Sequence, residues 1–113
     1  MKKDLEPHLV FTHNTADMHQ DHRIISEECR RGFRNCMMLG YESPGAILAG
    51  DHLCYVKLNC RHLETKMECL RCYRSQIVRP GMTEVVRESL AKLRGAQVGH
   101  IYAEAFEVIR WVL

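Results

Sequence analysis

The sequence has 113 residues, of which 46% are hydrophobic and 27% charged, and this composition is typical of one globular domain, or a piece of one, rather than of a disordered chain. The net charge of +2 gives no electrostatic reason to expect a nucleic-acid partner. The longest stretch without a charged residue or histidine, Ser43 to Gly50, is far shorter than the ~20 residues of a membrane-spanning helix. No signal peptide is recognisable, so we expect a cytoplasmic protein without a membrane partner.

The first half of the chain predicts two short strands on either side of an amphipathic helix. The apolar run Leu9–Phe11 predicts a buried strand that ends at Thr12–His13. A polar loop then leads to a helix that starts near Asp21, where an acidic side chain suits the positive end of the helix dipole. The residues at helical spacing are Ile25, Cys29, Phe33 and Cys36. A second strand follows at Met37–Leu39, and Gly40–Gly50 is expected to be a loop.

The second half predicts a strand, two helices and a tail. The strand covers Leu53–Leu58, and Pro80–Gly81 ends the helix that follows it. The apolar stripe of that helix is formed by Leu63, Met67, Leu70, Tyr73 and Ile77. Thr83 is the expected N-cap of the last helix, whose apolar positions are Val86, Leu90 and Leu93 and whose end is expected at Gly95. The tail, Tyr102–Leu113, is compatible with a strand or a short helix, and the whole order indicates an α/β class.

The densest chemical feature is the motif His19-x-Asp21-His22, which follows a strand and opens a helix. A spacing of three places both imidazoles near one face of the first helical turn. Neutral imidazole is a good zinc ligand, and a neighbouring carboxylate can fix its orientation. A catalytic zinc normally has three protein ligands and a water, and His13 and Asp17 are the nearest candidates to complete the number. The alternative is a solvated polar loop that happens to contain histidines.

Three segments, in order, carry a family pattern. The first is the strand Pro7–His13 with Asp17–Arg23 after it. The second is a helix with Lys66, Leu70, Tyr73, Ser75 and Gln76. The third consists of Arg94-Gly95, Gly99 and Tyr102–Phe106. Together they resemble the PIG-L/LmbE family of zinc-dependent deacetylases, whose signatures are a strand followed by His-Pro-Asp-His, a "K…AL..Y.SQ" helix and an "RG…G..YAEAF" block. Gln20 stands where the family usually has proline.

The resemblance implies a fold and a chemistry. The fold would be a Rossmann-like, LmbE-like partial domain with a short, mostly parallel sheet flanked by helices. The activity would be zinc-dependent removal of acetyl from an N-acetylglucosamine-type substrate. By position, His22 matches the zinc ligand, and His19 matches the histidine that stabilises the oxyanion and protonates the leaving amine. Asp21 matches the carboxylate that orients that histidine, and we expect Asp17 and His13 beside the substrate.

The family's first signature, Ala-His-Pro-Asp-Asp-Glu, has no counterpart in this sequence. In the family it supplies the other two zinc ligands and the general base. The residues Lys2–Glu6 look like the end of the helix that precedes the first strand, so residues 1–113 resemble a single C-terminal portion of the deacetylase domain. The resemblance therefore implies little or no activity for the chain alone. The open edge of such a sheet favours a homo-oligomer or a chain that supplies the missing half.

Two other functional classes stay open on the sequence. The chain can be read as a non-catalytic remnant or partner subunit that completes or stabilises another chain. It can also be read as a small zinc module built on Cys69-x-x-Cys72, with upstream candidates Cys54, Cys60, His52 and His62. We favour buried or half-buried thiols, because Cys69 and Cys72 fall within a helical pattern. The basic residues of the first helix, which are interspersed with glutamates, are expected to form a solvated face. They are Arg23, Arg30, Arg31 and Arg34.

Overall fold

The computed structural model describes residues 5–45, 54–73 and 83–113, which form a small mixed α/β structure. In these ranges the elements in chain order are β1 (Leu9–His13), α1 (Gln20–Gly32), β2 (Met37–Tyr41), β3 (Cys54–Leu58), α2 (Cys60–Arg71), α3 (Glu84–Gln97) and β4 (Tyr102–Arg110). The predicted α/β class is confirmed, and the tail is a strand. None of the described helices has the length and apolar character needed to cross a membrane.

The four strands form a sheet in the order β1-β2-β4-β3. β1 and β2 pair in parallel, with Leu9 opposite Met37, and α1 is the crossover that parallel neighbours require. β2 and β4 pair antiparallel, with Tyr41 opposite Phe106. The expectation of a mostly parallel sheet is therefore wrong, because the sheet is mostly antiparallel. The spacing of apolar residues indicates a strand but does not encode its direction, and β4 enters beside β2 from the opposite end.

The chain divides into two compact units. The first comprises Met1–Cys54 together with Phe106–Leu113. Met38 is fully buried there, and the rings of Phe11 and Phe106 lie 5.4 Å apart between centroids. The prediction that β1 is a buried strand is wrong for one of its two faces. Because side chains alternate along a strand, Leu9 and Phe11 share a face, and both are exposed.

The second unit comprises Tyr55–Ala105. Its core is formed by Leu63, Met67 and Ala91, against which Leu70 and Tyr102 pack. Both helices of this unit are capped by side chains at their N-termini. Asn59 accepts from the backbone amide of His62 while the His62 ring accepts from the amide of Asn59, which is a reciprocal capping box. Thr83 caps α3, as predicted.

The ends of the helices differ from the sequence predictions in three places. α1 ends at Gly32, so Phe33 is its C-cap and Cys36 lies beyond it. α2 ends at Arg71, which leaves Tyr73 outside the helix and exposed. Gly95 does not end α3 but is buried inside it. The predicted loop also begins later, because Gly40 and Tyr41 belong to β2. The expectations for residues 2–4, 46–53, 75–77 and 80–81 fall outside the described residues.

Candidate metal centre

The candidate centre lies in the first unit, where β1 ends and α1 begins. The loop between these elements is shaped by its own polar groups: the amide of Ala16 donates to Oδ1 of Asn14 at 2.8 Å, and the amide of Asp17 donates to the Asn14 carbonyl at 3.1 Å. Such side-chain to backbone bonds favour a tight turn over continuing the strand. The turn places the Asp17 side chain in the interior, where it is fully buried.

The Asp17 carboxylate is the centre of the cluster. Its Oδ1 accepts from the backbone amide of His19 at 2.9 Å, and its Oδ2 accepts from Nδ1 of His22, also at 2.9 Å. Nδ1 of His13 lies 4.0 Å from the same Oδ2. A buried carboxylate needs such partners, because an unpaired charge away from water is strongly unfavourable. Two imidazole nitrogens from different elements therefore lie within 4.0 Å of one carboxylate oxygen, and one of them is hydrogen-bonded to it.

Three imidazole rings stack beside this carboxylate. The rings of His13 and His22 are nearly parallel, at 7° with centroids 3.9 Å apart, and those of His19 and His22 are 4.3 Å apart. Burial lowers the pKa of His13, and the neighbouring His22 lowers it further, with Asp17 acting in the opposite direction. The neutral imidazole of His13, the form that binds metals, is thus favoured.

Tyr41 and Glu107 support the cluster from the strands behind it. The Tyr41 hydroxyl lies 3.0 Å from Nε2 of His13, and burial, followed by the nearby Cys29 and Asp17, raises the pKa of that hydroxyl, so it stays protonated. The Glu107 carboxylate accepts from the amide of Thr15 at 2.8 Å and from the Thr15 hydroxyl. These contacts fix the loop that carries Asp17.

The structure brings four of the predicted site residues together and places the fifth differently. The four are His13, Asp17, His19 and His22. Asp21 is exposed, and its contact with His19 is made by its backbone amide, which donates to Nδ1 of the ring at 3.2 Å. This bond also makes His19 the N-cap of α1. With Nδ1 accepting, the hydrogen of the neutral ring lies on Nε2.

Sequence reasoning did not find Tyr41 or Glu107. Nothing in the local sequence marks Tyr41, which follows an apolar run, and Glu107 is one of two glutamates with similar spacing in the tail. The other, Glu104, lies in the segment Tyr102–Phe106 that resembles the family's "YAEAF" block. That carboxylate is half-buried in the second unit, where it pairs with Lys66. The pairing of β2 with β4 distinguishes the two glutamates, because its register places Glu107 opposite Gly40.

The cysteines do not form a comparable centre in the described ranges. All six are free thiols. Cys36 is buried and Cys29 and Cys54 are half-buried, but Cys60, Cys69 and Cys72 are exposed, so the expectation of buried or half-buried thiols is wrong for these three. Among the described residues, one group of three side chains brings its possible metal-ligand atoms within 4.8 Å of one another. The group is His13, Asp17 and His22. The four arginines of the α1 region lie on the surface, as expected for a solvated face.

Two imidazoles and one carboxylate fit a metal ion chemically. This donor set occurs at catalytic zinc centres, where a water fills the fourth position. The fit is supported by Nδ1 of His13, which is buried without a hydrogen-bond partner. No protein-family model and no curated protein matches this sequence. The chemistry of this cluster therefore has to be argued from its own residues.

Proposed function

We propose that this chain is the C-terminal portion of a zinc-dependent amide hydrolase of the PIG-L/LmbE type, which removes acetyl from an N-acetylglucosamine-type substrate. On this proposal the fold is a Rossmann-like partial domain and the protein works in the cytoplasm. The single observation that carries the proposal is the contact of the His22 ring and the His19 backbone amide with the buried Asp17 carboxylate at the carboxyl end of β1. Ligands of α/β proteins commonly bind at such strand ends.

His22 is the proposed zinc ligand, and its ring is held in place before any metal binds. Asp17 is fully buried and receives the Nδ1 hydrogen of His22 at 2.9 Å. A carboxylate in this position fixes the tautomer and the orientation of a ligating imidazole. Zinc, when bound, lowers the pKa of its water and polarises the acetyl carbonyl.

His19 is the proposed proton donor and oxyanion stabiliser. Its Nδ1 accepts from the Asp21 amide, so its Nε2 carries the hydrogen and is available as a donor. Its ring is exposed and stacks on His22, which places it beside the proposed metal ligand. A donor so placed can stabilise the tetrahedral oxyanion and then protonate the departing amine. On the proposal, Asp21 acts through the position of His19 at the start of α1.

A second candidate function is supported by the edge of the sheet. Among residues 5–45, 54–73 and 83–113, β1 has a hydrogen-bonded neighbour on one side only, β2, and the residues Leu9 and Phe11 on it are exposed. An unpaired strand edge with an apolar face can accept a strand from another chain. This favours the alternative of a partner subunit that completes or stabilises another chain without catalysis of its own. A second copy of this chain is one such partner.

The deciding experiment uses the chain as isolated from its own cells, together with any chain that accompanies it. We expect zinc in the wild-type preparation and release of acetate from an N-acetylglucosamine conjugate. His22→Ala should lose both zinc and acetate release, whereas His19→Ala should keep zinc and lose acetate release. The control Cys69→Ala/Cys72→Ala should keep both. A zinc-loaded preparation that releases no acetate would contradict the hydrolase and leave the partner subunit. Zinc lost only with the two cysteines would contradict the hydrolase and favour the zinc module built on Cys69 and Cys72.

A further inference from the structure

We infer that His13, Asp17 and His22 form a complete three-ligand site for a divalent transition-metal ion within this chain alone. The resemblance to deacetylases makes His22 a ligand and draws the remaining ligands from a segment that this sequence lacks. The inference goes beyond the proposed function, because metal binding by these three residues requires no hydrolysis and no second chain. It also gives His13 and Asp17 a role other than contact with a substrate.

The candidate ligand atoms of the three residues lie around one carboxylate oxygen. On metal binding, Nδ1 of His22 gives up the hydrogen that it shares with Asp17 in the metal-free chain, and both atoms become ligands. Nδ1 of His22 and Nδ1 of His13 lie 2.9 and 4.0 Å from the same Oδ2 of Asp17, and the ligand atoms of the group all lie within 4.8 Å of one another. A metal ion of zinc's size holds nitrogen and oxygen ligands at roughly 2.0–2.2 Å, so its ligand atoms are spaced by a little over 3 Å. The rings of His13 and His22 must turn out of their stack to reach that spacing, because the lone pairs of two stacked rings lie in parallel planes and do not meet at one ion.

The state of His13 is the observation that points to a ligand. Its side chain is 14% exposed, and its Nδ1 is buried without a hydrogen-bond partner. Leaving a buried polar atom unpaired is unfavourable, so buried polar atoms in native proteins almost always have a partner. The ring hydrogen on Nε2 can be donated to the Tyr41 oxygen 3.0 Å away, which leaves the lone pair of Nδ1 free. A metal ion at Nδ1 supplies the missing partner.

The surroundings hold the three side chains in this arrangement. Asp17 is fixed by the His19 amide at its other oxygen, and Tyr41 orients His13 in the way that outer hydrogen-bond partners orient metal ligands. Imidazole nitrogens select against magnesium and calcium, which prefer oxygen ligands, and favour zinc and its first-row neighbours.

The test measures metal binding by the purified, metal-free full chain with zinc and cobalt ions alone. We expect one ion per chain, with a cobalt absorption spectrum of a four- or five-coordinate site and two imidazoles seen by X-ray absorption at zinc. His13→Gln, Asp17→Asn and His22→Gln should each weaken binding more than about 100-fold, beyond the range typical for loss of an outer hydrogen-bond partner. His62→Gln, in the α2 capping box, is the matched control and should bind as the wild type does. Circular dichroism checks that each variant is folded.

Three results would overturn the inference. No binding by the folded wild-type chain would mean that the ligands come from elsewhere. Normal metal binding by both His13→Gln and Asp17→Asn would show that neither His13 nor Asp17 is a metal ligand. A loss of only about 10- to 100-fold in Asp17→Asn, with the coordination number unchanged, would make Asp17 an outer partner of His22. Since no variant is needed for the X-ray absorption count of imidazoles on wild-type protein, a misfolded variant does not block the test.

The two proposals fail separately. One ion held by these three residues, in a preparation that never releases acetate, would contradict the hydrolase and support the metal site. Acetate release by a complex in which only His22 is needed for zinc would support the hydrolase and contradict the three-ligand site.

Discussion

Both units gather titratable side chains, but they hold them in different ways. In the first unit a single carboxylate, Asp17, is fully buried and is contacted by two imidazoles and a backbone amide. In the second unit a cleft of about 380 Å³ is lined by four carboxylates, those of Glu64, Glu68, Glu84 and Glu88. Two of these are already paired on the surface, Glu84 with Arg71 and Glu88 with Lys92. We conclude that the number of ionisable groups does not mark a site, whereas burial and fixed orientation do.

The difference follows from what solvent does to each group. Exposed ion pairs gain little, because water and salt screen them and two long side chains must be ordered. A carboxylate inside the protein is fixed by every partner it has, and losing one is costly. The side chains around Asp17 in the first unit are therefore held in fixed positions, whereas the cleft of the second unit is a solvated surface. Substitutions should accordingly cost more, and salt should matter less, around Asp17 than around the cleft.

The greatest loss of stability is expected from replacing a glycine with alanine where another backbone segment lies close to it, at Gly40 in the first unit and at Gly95 in the second. A Cβ at Gly40 would lie 2.9 Å from the Asn14 Cα and 3.0 Å from Glu107 Oε2, and a Cβ at Gly95 would lie 2.6 Å from the His100 carbonyl oxygen. Both substitutions to alanine should lower the free energy of unfolding by about 1–3 kcal/mol, the usual cost of overpacking. Chemical denaturation measures the loss.

Metal binding separates these two glycine variants. Gly40→Ala displaces the loop that carries Asp17 and should also weaken binding of zinc, whereas Gly95→Ala should leave zinc affinity unchanged in the folded fraction. Gly32→Ala is the control, because nothing lies within 4 Å of its added Cβ, and its stability should not fall. Equal zinc affinity in all three variants would show that the close approach of β2 does not position the site.

The second prediction compares two glutamates of β4. Glu107→Ala removes the acceptor for the amide and hydroxyl of Thr15 and should cost about 1–2 kcal/mol, since hydrogen bonds to charged groups are worth more than neutral ones. It should also weaken zinc binding, because the loop loses its anchor. Glu104→Ala breaks the partly exposed pair with Lys66 and should change stability less and zinc affinity not at all. Glu107→Gln, which keeps an acceptor for the Thr15 amide, should recover part of the affinity.

The candidate site could be predicted from the sequence as far as it is local. His13, Asp17, His19 and His22 all lie in the short segment between a strand end and a helix start, so short-range geometry is enough to bring them together. Tyr41 and Glu107 contact this segment from 28 and 92 residues away. Their contributions depend on which strands pair and in what register, which no local pattern encodes.

The fold shows the same limit. Apolar periodicity locates all seven elements, and residue type and position identify Thr83 as a cap. The direction of β4 could not be predicted, because the alternation of a strand is the same in both directions. The interpretation of Gly95 is wrong for a related reason. A glycine near the end of an apolar stripe usually stops a helix, but here it lets the backbone of His100 approach α3.

The third prediction concerns the residues that begin the helices of the two units. Asn59 forms a reciprocal capping box in α2, and Asn59→Ala should cost about 1 kcal/mol, the usual worth of such a cap. His19 caps α1 through a single 3.2 Å bond at an exposed ring, so His19→Ala should cost less. Thermal unfolding of the two variants measures this order. A larger loss in His19→Ala would mean that the imidazole stack contributes substantially to stability.

The weakest effect we expect is the pH dependence of the exposed pair in the second unit. The hydrogen bond from Arg71 holds the pKa of Glu84 below its ordinary value of 4.5. A carboxyl group with a lowered pKa in the folded state contributes stability that is fully present above that ordinary value and is lost as pH falls through the lower one. The melting temperature of wild type should therefore exceed that of Glu84→Gln slightly at neutral pH, and the difference should disappear in strong acid.

Added salt discriminates between the two regions in this last comparison. Both Arg71 and Glu84 are exposed, so salt at roughly 1 M, where the screening length is about 3 Å, should reduce the Glu84→Gln difference toward zero. The loss of stability in Asp17→Asn should persist at the same salt concentration, because its partners lie in the interior. If salt reduced both differences equally, the Asp17 carboxylate would be as accessible to ions as the cleft of the second unit, and the contrast between a built site and a solvated surface would not hold.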